Sequence, residues 1–486
     1  MSLEKVHIIR NPASGAPGTS ERLLDQQVLP LLKSANLDAQ VHVTASQGDA
    51  TAIAARLLSE TQNARQEEYG GTIPHGLDVI LLGGDGTTSE ILNGLYIPPA
   101  ARPKDRRNDV EQDAAASSLR WKAPSIPIRL IIVPTGTSNA LYAALYPSDR
   151  DATSSDGDSA TAKEDRWRLH SLSSYILAKS RKSQLQSQSQ SQSHDVSSSL
   201  LPLTLSAVHI TDDAQQPSGT SEGVSSRLNA YSLAHIVTSH ALHACILRDS
   251  EALRAQDPSI ERFKIAAAQN STIWHRGSLQ LYPASTSGKV KVYNPRSRQF
   301  REVDEKEKKL QGPFSYIAAL STDRLEPSFI PAPFGSFLPQ ENVESAHLAR
   351  RADELDLLIV RPLRSPAVLA KYRQAQDEVR DEEDDAPTLF AKTTLSELTA
   401  GMYSGGKHVD LTYPLEGASE TKLEEAGKGE VAFEYYRVGG YEWTAAPDDS
   451  NAAIVCVDGA VSRALKTRVE VLPTASDGSG QVHVWH

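Results

Sequence analysis

The sequence predicts an α/β domain built on a doubly wound parallel sheet, followed by a largely antiparallel β-sandwich domain. Three observations carry the prediction. Up to residue 146, apolar strand-like runs alternate with helical patterns, as a parallel sheet with crossover helices requires. One of these runs, Val79-Ile80-Leu81-Leu82, is apolar throughout, which suits a strand covered on both faces. Beyond residue 146, short strand-like runs lie between turn residues, the texture of antiparallel β structure.

Taken in order, Val6-His7-Ile8-Ile9-Arg10 reads as the first strand and Asn11-Pro12-Ala13-Ser14-Gly15 as the turn at its end. Residues 20 to 33 place Leu23, Leu24, Val28, Leu31 and Leu32 at helical spacing. Ala39 to Thr44 alternates as a second strand, and Ile53, Ala54, Leu57 and Leu58 mark a second helix after Gly48-Asp49. The third strand runs into Gly83-Gly84-Asp85-Gly86-Thr87-Thr88, and Thr87 with Glu90 has the spacing of a capping box. Residues 97 to 125 read as a surface insertion. Ile128 to Val133 is the next strand, and Pro134-Thr135-Gly136-Thr137-Ser138-Asn139 separates it from the apolar Ala140 to Leu145.

The chemistry follows from the turns. A glycine turn between a strand and a helix aims unpaired main-chain N–H groups at one spot, which suits a phosphate. Asp85 stands among those glycines, and a carboxylate beside an anion needs a metal or a proton. That combination points to phosphoryl transfer. Three such turns fall on the carboxyl edge of one sheet, where α/β proteins bind nucleotides. Asn11 and Ser14 are candidate hydrogen-bond partners there.

Composition narrows the alternatives. The chain has 486 residues, 39% apolar and 23% charged, with a formal net charge of −11. An acidic balance argues against nucleic acid held on a basic surface. The two cysteines, Cys245 and Cys456, form no disulfide framework, so a reducing, cytoplasmic setting is expected. No signal-peptide pattern opens the chain, and no apolar run nears the ~18 residues of a membrane span. A lipid would be met from the water side, at a membrane surface.

Residues Asn11-Pro12-Ala13-Ser14-Gly15, Gly83-Gly84-Asp85-Gly86-Thr87 and Gly136-Thr137-Ser138-Asn139-Ala140 resemble, in order and spacing, the catalytic domain of diacylglycerol kinases and sphingosine kinases. NAD kinases share the Gly-Gly-Asp-Gly core, whereas the Asn-Pro-x-Ser-Gly opening favours the lipid branch. Asp249-Ser250-Glu251-Ala252-Leu253-Arg254 with Arg262-Phe263, Asp356 to Pro362, Met402 to His408 and Val455 to Gly459 resemble later segments of the family. The resemblance implies an ATP-dependent lipid kinase using Mg²⁺, whose protein ligands it leaves unassigned. It implies Asp85 as general base. It implies nucleotide contacts at Asn11, Ser14, Gly15, Thr44, Gly83, Gly84, Gly86, Thr87, Thr88, Gly136, Thr137, Asn139, Asp458 and Gly459, with Arg254 and Arg262 on the phosphates. Two positions depart from the pattern. Ala460 stands where relatives carry Glu, and Cys245 stands at the lipid-facing position where sphingosine kinases carry Asp. These departures motivate a second reading, a catalytically weak nucleotide-binding regulator, and the shared Gly-Gly-Asp-Gly core leaves an NAD kinase-like enzyme as a third.

The expected domains are 1–146 for the nucleotide and 147–486 for the lipid, with the final strand or tail free to pack back on the first. Polar composition predicts disordered insertions near 147–166, 183–199, 211–226 and 377–387. Ser239 to Arg254 reads as one helix, and His240 and His243 on it as packing residues. Phe329 to Phe334 and Phe337-Leu338-Pro339 fit either a membrane-facing loop or a packed proline-rich one.

Overall fold

The computed structural model describes residues 5–69, 76–96, 121–147, 160–187, 199–211, 231–254, 256–257, 259, 261–336, 348–377, 385–415, 422–473 and 481–486. The chain divides into two units, Met1–Leu203 with Thr474–His486, and Thr204–Pro473.

In the first unit the apolar runs form strands β1 (Lys5–Arg10), β2 (Asp38–Val43), β3 (Leu77–Gly83), β4 (Ile128–Pro134) and β5 (Leu200–Pro202). Their order is β2-β1-β3-β4, then the C-terminal strand Val482–Trp485, then β5. All pairings are parallel except the last. All seven residues of β3 are buried, Asp78 included, as expected of a central strand covered on both faces. Helices α1 (Thr19–Leu23) and α2 (Leu29–Ser34), joined by a π-helical turn, cover one face with Leu23, Leu24, Val28 and Leu32. Helices α3 (Asp49–Tyr69) and α4 (Asp85–Leu95) meet where Thr51 Oγ1 donates to the Glu90 carbonyl at 3.0 Å. Short α5 (Ala140–Leu145) follows β4.

The edges of two stretches expected to be disordered, 147–166 and 183–199, are helical: residues 160–166 lie in α6 (Ala160–Arg168) and residues 183–187 in α7 (His170–Ser187). Few apolar residues suffice, because Leu169, Leu172 and Tyr175 all bury against the sheet core of Ile131 and Val133, and Ser171 Oγ donates to the Trp485 carbonyl at 2.8 Å. Both helices belong to the first unit, which runs to Leu203 and takes in Thr474–His486. Asp385, in the acidic 377–387 stretch, caps the helix Ala386–Phe390 through the Thr388 N–H. Residues 148–159, 188–198, 212–226 and 378–384, and residues 97–120 of the insertion, lie outside the described residues.

The second unit packs two antiparallel sheets. One runs in the order Gln299–Glu302, Lys291–Asn294, Glu434–Val438, Leu355–Val360, Tyr316–Leu320, Val237–His240, Ile454–Val457, Ala460–Arg463. The other runs Lys309–Gln311, Gly277–Tyr282, Gly440–Ala445, Lys466–Val471, Ser206–Thr211, Tyr231–Ala234. One buried cluster draws on both, with Val208, Leu281, Tyr441 and Trp443 from the second sheet meeting Ile317, Leu357, Tyr436 and Val455 from the first. This is the predicted sandwich. Residues 329–334 are a packed loop: Pro331 accepts from His408 Nε2 at 3.0 Å, and the Phe334 ring lies 4.7 Å from that of Tyr293. Residues 337–339 are outside the described ones. No helix among the described residues is long and apolar enough to cross a membrane.

Burial in the sandwich carries a pH prediction. His240, His275 and His408 are at most 1% exposed. Desolvation pushes them down to about 3, about 4 and about 4 respectively. Their folded values lie below the unfolded value of about 6.5, so the native state keeps them neutral while the unfolded chain takes up protons. Their stabilising contribution is whole above about pH 6.5 and is lost as the pH falls toward 4, each proton adding a slope on the order of 1.4 kcal/mol per pH unit. Urea midpoints should fall steeply from pH 7 to pH 5. Equal midpoints at the two pH values would refute this.

Candidate active site

The strand order β2-β1-β3-β4 reverses direction between β1 and β3, so a crevice is expected beyond their carboxyl ends. Main-chain bonds lace those ends together. The Thr44 N–H donates to Arg10 O at 3.0 Å, the Asn11 N–H to Leu82 O at 2.9 Å and the Thr135 N–H to Gly83 O at 2.9 Å. Three predicted loops thereby converge. Gly15 sits at φ +73°, and a Cβ there would lie 1.7 Å from the Thr135 carbonyl oxygen. A Cβ on Gly84 would lie 3.0 Å from Gly136 Cα and 3.4 Å from Ser14 Oγ.

The side chains of the loops serve one another. Asn11 Nδ2 donates to Thr87 Oγ1 at 2.9 Å, and its Oδ1 accepts the Ala13 N–H at 2.9 Å. Helix α4 begins at Asp85 with extended Gly84 as its N-cap, three residues before the N-cap Thr87 that the capping-box spacing implies. The Thr87 and Thr88 N–H groups both return to Gly84 O, and Thr87 Oγ1 is engaged by Asn11 from the neighbouring loop. Asn139 caps α5 in the left-handed region at φ +49° and donates to Gly136 O at 2.8 Å.

Asp85 has a partner that the sequence did not reveal. Its carboxylate accepts the N–H of Ala140 at 2.7 Å and that of Leu141 at 3.3 Å. The carboxylate thus caps α5 and fixes two glycine loops against each other. Arg168, also missed, reaches from α6 to the Pro134 carbonyl. Neither contact has a sequence signal, since both partners are far apart in the chain.

The cradle fits a polyphosphate. The N–H groups of Gly84, Gly86, Gly136 and Thr137 have no acceptor among the described residues. Gly86 faces open space, with nothing within 4 Å of where a Cβ would be. Thr135 Oγ1 and Asn139 Oδ1 are buried without a partner among the described residues. Ser14, Thr44, Thr87 and Thr88 are nearly buried, whereas Thr137 is exposed. Among the described residues no three His, Cys, Asp or Glu side chains form a metal cage. Mg²⁺ rarely needs one, since one or two carboxylates and the substrate phosphates usually hold it.

The remaining candidates lie in the second unit. Helix α8 (Ala241–Leu253) leaves Ser239 and His240 on the preceding strand, so His240 and His243 do not share a helix. Arg254 ends α8, exposed and paired with Glu251 at 3.2 Å. Arg262, on α9 (Glu261–Asn270), is 5% exposed and lies 4.4 Å over the Phe263 ring. Burial, then the charge of Arg254, holds its guanidinium below the usual arginine value, so the two cations feel each other. Cys245 is fully buried against Ala244, Ile454 and Cys456, and burial pushes its thiol up to about 11.

Asp458 and Gly459 form a hairpin turn, with φ +47° and +90°, between Ile454–Val457 and Ala460–Arg463. Asp-Gly between apolar runs is the strongest local hairpin signal. The Asp458 carboxylate accepts three main-chain N–H groups, from His235, Ile236 and Val237, and His235 Nδ1 at 2.7 Å. Burial alone would raise its pKa, but the His235 ring and the N–H groups outweigh that and hold it below the usual carboxylate range. Its oxygens are thus committed to the fold of their own unit.

Comparison with known proteins adds an independent line. Residues 5–163 match the family model of the Diacylglycerol kinase catalytic domain, in agreement with the resemblance read from the three loops. No curated protein matches the chain. Among solved structures, a diacylglycerol kinase from Bacillus anthracis str. Sterne is 12% identical, with 100% of this chain and 98% of that chain covered at a TM-score of 0.44. Two more structures from that organism bear the name provisionally, at 14% and 13% identity, the same coverage and a TM-score of 0.43.

Proposed function

We propose that this protein is an ATP-dependent lipid kinase that transfers the γ-phosphate to a hydroxyl of a sphingoid base, a diacylglycerol or a similar lipid. The observation that carries the reading is the convergence of the 11–15, 83–88 and 134–139 loops around N–H groups with no acceptor among the described residues, with Asp85 beside them. Phosphoryl transfer asks for positioning and charge neutralisation more than covalent chemistry. The cradle would hold the polyphosphate, and Mg²⁺ bound with it would neutralise phosphate charge. Asp85 would take the proton of the attacking hydroxyl. Its bonds to the Ala140 and Leu141 N–H groups orient the carboxylate, and geometry is the first requirement of a general base. The resemblance assigns Arg254 and Arg262 to phosphate charge.

A second reading, a nucleotide-binding regulator with little turnover, is favoured by the commitment of Asp458 to its own unit and by Ala460. Transfer of radiolabelled γ-phosphate from Mg-ATP to sphingoid bases, diacylglycerols and NAD separates the possibilities. A labelled lipid is expected. Label on NAD alone, or ATP bound with no acceptor labelled, would overturn the proposal.

A further inference from the structure

Arginine is rarely buried without a partner, because its charge gives up water and gains nothing in return. Among the described residues of the first unit four arginines are half-buried: Arg10, Arg22, Arg129 and Arg168. Arg22 clasps Asp165 at 2.6 and 2.7 Å. Arg129 pairs with Asp78, and Arg168 with Glu164. Arg10 makes no side-chain hydrogen bond or ion pair with a described residue, and its Nε is buried without a partner.

Its position gives that isolation a direction. Arg10 is the last residue of β1, in register with Leu82 of β3, which is in register with Val133 of β4. Side chains in register on neighbouring strands share a face, so Arg10, Leu82 and Val133 form one row. Thr135, two residues on, lies on that face at the same edge, and its hydroxyl is buried and unpartnered. Strand spacing puts β1 and β4 about 10 Å apart across β3, a gap that linked phosphates can span. Main-chain N–H groups bind anions without supplying a full charge. A half-buried guanidinium at the strand end supplies one, in a fork shaped for phosphate oxygens.

We infer that Arg10 is a binding residue for the nucleotide polyphosphate, acting with the Thr135 hydroxyl on this face of the sheet. The inference rests on the nucleotide reading above. Calorimetric titration of the full chain with ATP, inorganic tripolyphosphate and adenosine tests it in wild type, Arg10→Gln and Arg10→Lys. Arg10→Gln should weaken ATP and tripolyphosphate about 10-fold or more, with partial recovery in Arg10→Lys and no change toward adenosine. The thermal midpoint of free Arg10→Gln should match or exceed wild type, since an unpaired buried charge is removed. Polyphosphate affinities within about twofold of wild type would overturn the inference, as would an equal loss toward adenosine. Wild type that binds tripolyphosphate but not ATP would sink the nucleotide reading and leave Arg10 as an anion ligand. Wild type that binds neither would sink both.

Discussion

Asp85→Asn should lower turnover by about 10²- to 10⁴-fold, the usual worth of a positioned general base, while ATP still binds. The carboxylate accepts two N–H groups, those of Ala140 and Leu141. Asn can keep the shorter bond, to Ala140 at 2.7 Å, through its carbonyl oxygen. Its amide then meets the Leu141 N–H, and two donors face each other. One weak bond, at 3.3 Å in the native protein, is lost, at a cost of about 1 kcal/mol. The 134–139 loop should stay in place, so ATP affinity should change only a few-fold. Single-turnover transfer and ATP titration on the same preparation check both halves. An Asp85→Asn protein that keeps most of its activity would remove Asp85 from the chemistry.

Gly15→Ala should damage the cradle itself. The new Cβ would lie 1.7 Å from the Thr135 carbonyl oxygen, and φ is +73°. The left-handed backbone alone costs roughly 1–2 kcal/mol for a residue with a side chain, and the overlap forces the 11–15 loop away from 134–139. ATP affinity should fall at least about 10-fold, because the loops would no longer converge. Gly86→Ala is the control. Nothing lies within 4 Å of its Cβ position and its φ is not positive, so the fold should tolerate it. A loss of ATP affinity there without a loss of stability would mean that the open space in front of Gly86 is where the ligand sits. Gly15→Ala with unchanged affinity would show that the loops need not touch.

The parts visible in the sequence are those written locally. Val79 to Leu82 is apolar without a break, and the whole of β3 is buried. The three glycine loops follow their strands as the spacing required. Long-range pairings were invisible for a physical reason: the carboxylate of Asp85 meets the Ala140 N–H 55 positions away, and no local pattern marks such a bond. Polarity also misled. Residues 160–166 and 183–187, at the edges of two stretches expected to be disordered, are helical. The reason is that the helices they belong to are anchored between those stretches by Leu169, Leu172 and Tyr175, and a few well-placed contacts offset the entropy that composition alone makes decisive. His240 was assigned to a helix that starts one residue later, since the strand before it is only four residues long.

The strand Val482–Trp485 lies between β4 and β5, while the whole second unit precedes it in the chain. During synthesis the sandwich can be complete while the first sheet still lacks this strand. Until it arrives, β4 presents an unpaired edge at Ile128, Arg129 and Leu130, where Val482, His483 and Val484 come to pair. A bare strand edge is a template for pairing with other chains. A ribosome-bound chain stopped before residue 482 should therefore need a chaperone to keep that edge covered. Val482–Trp485 closes that edge from within the same chain.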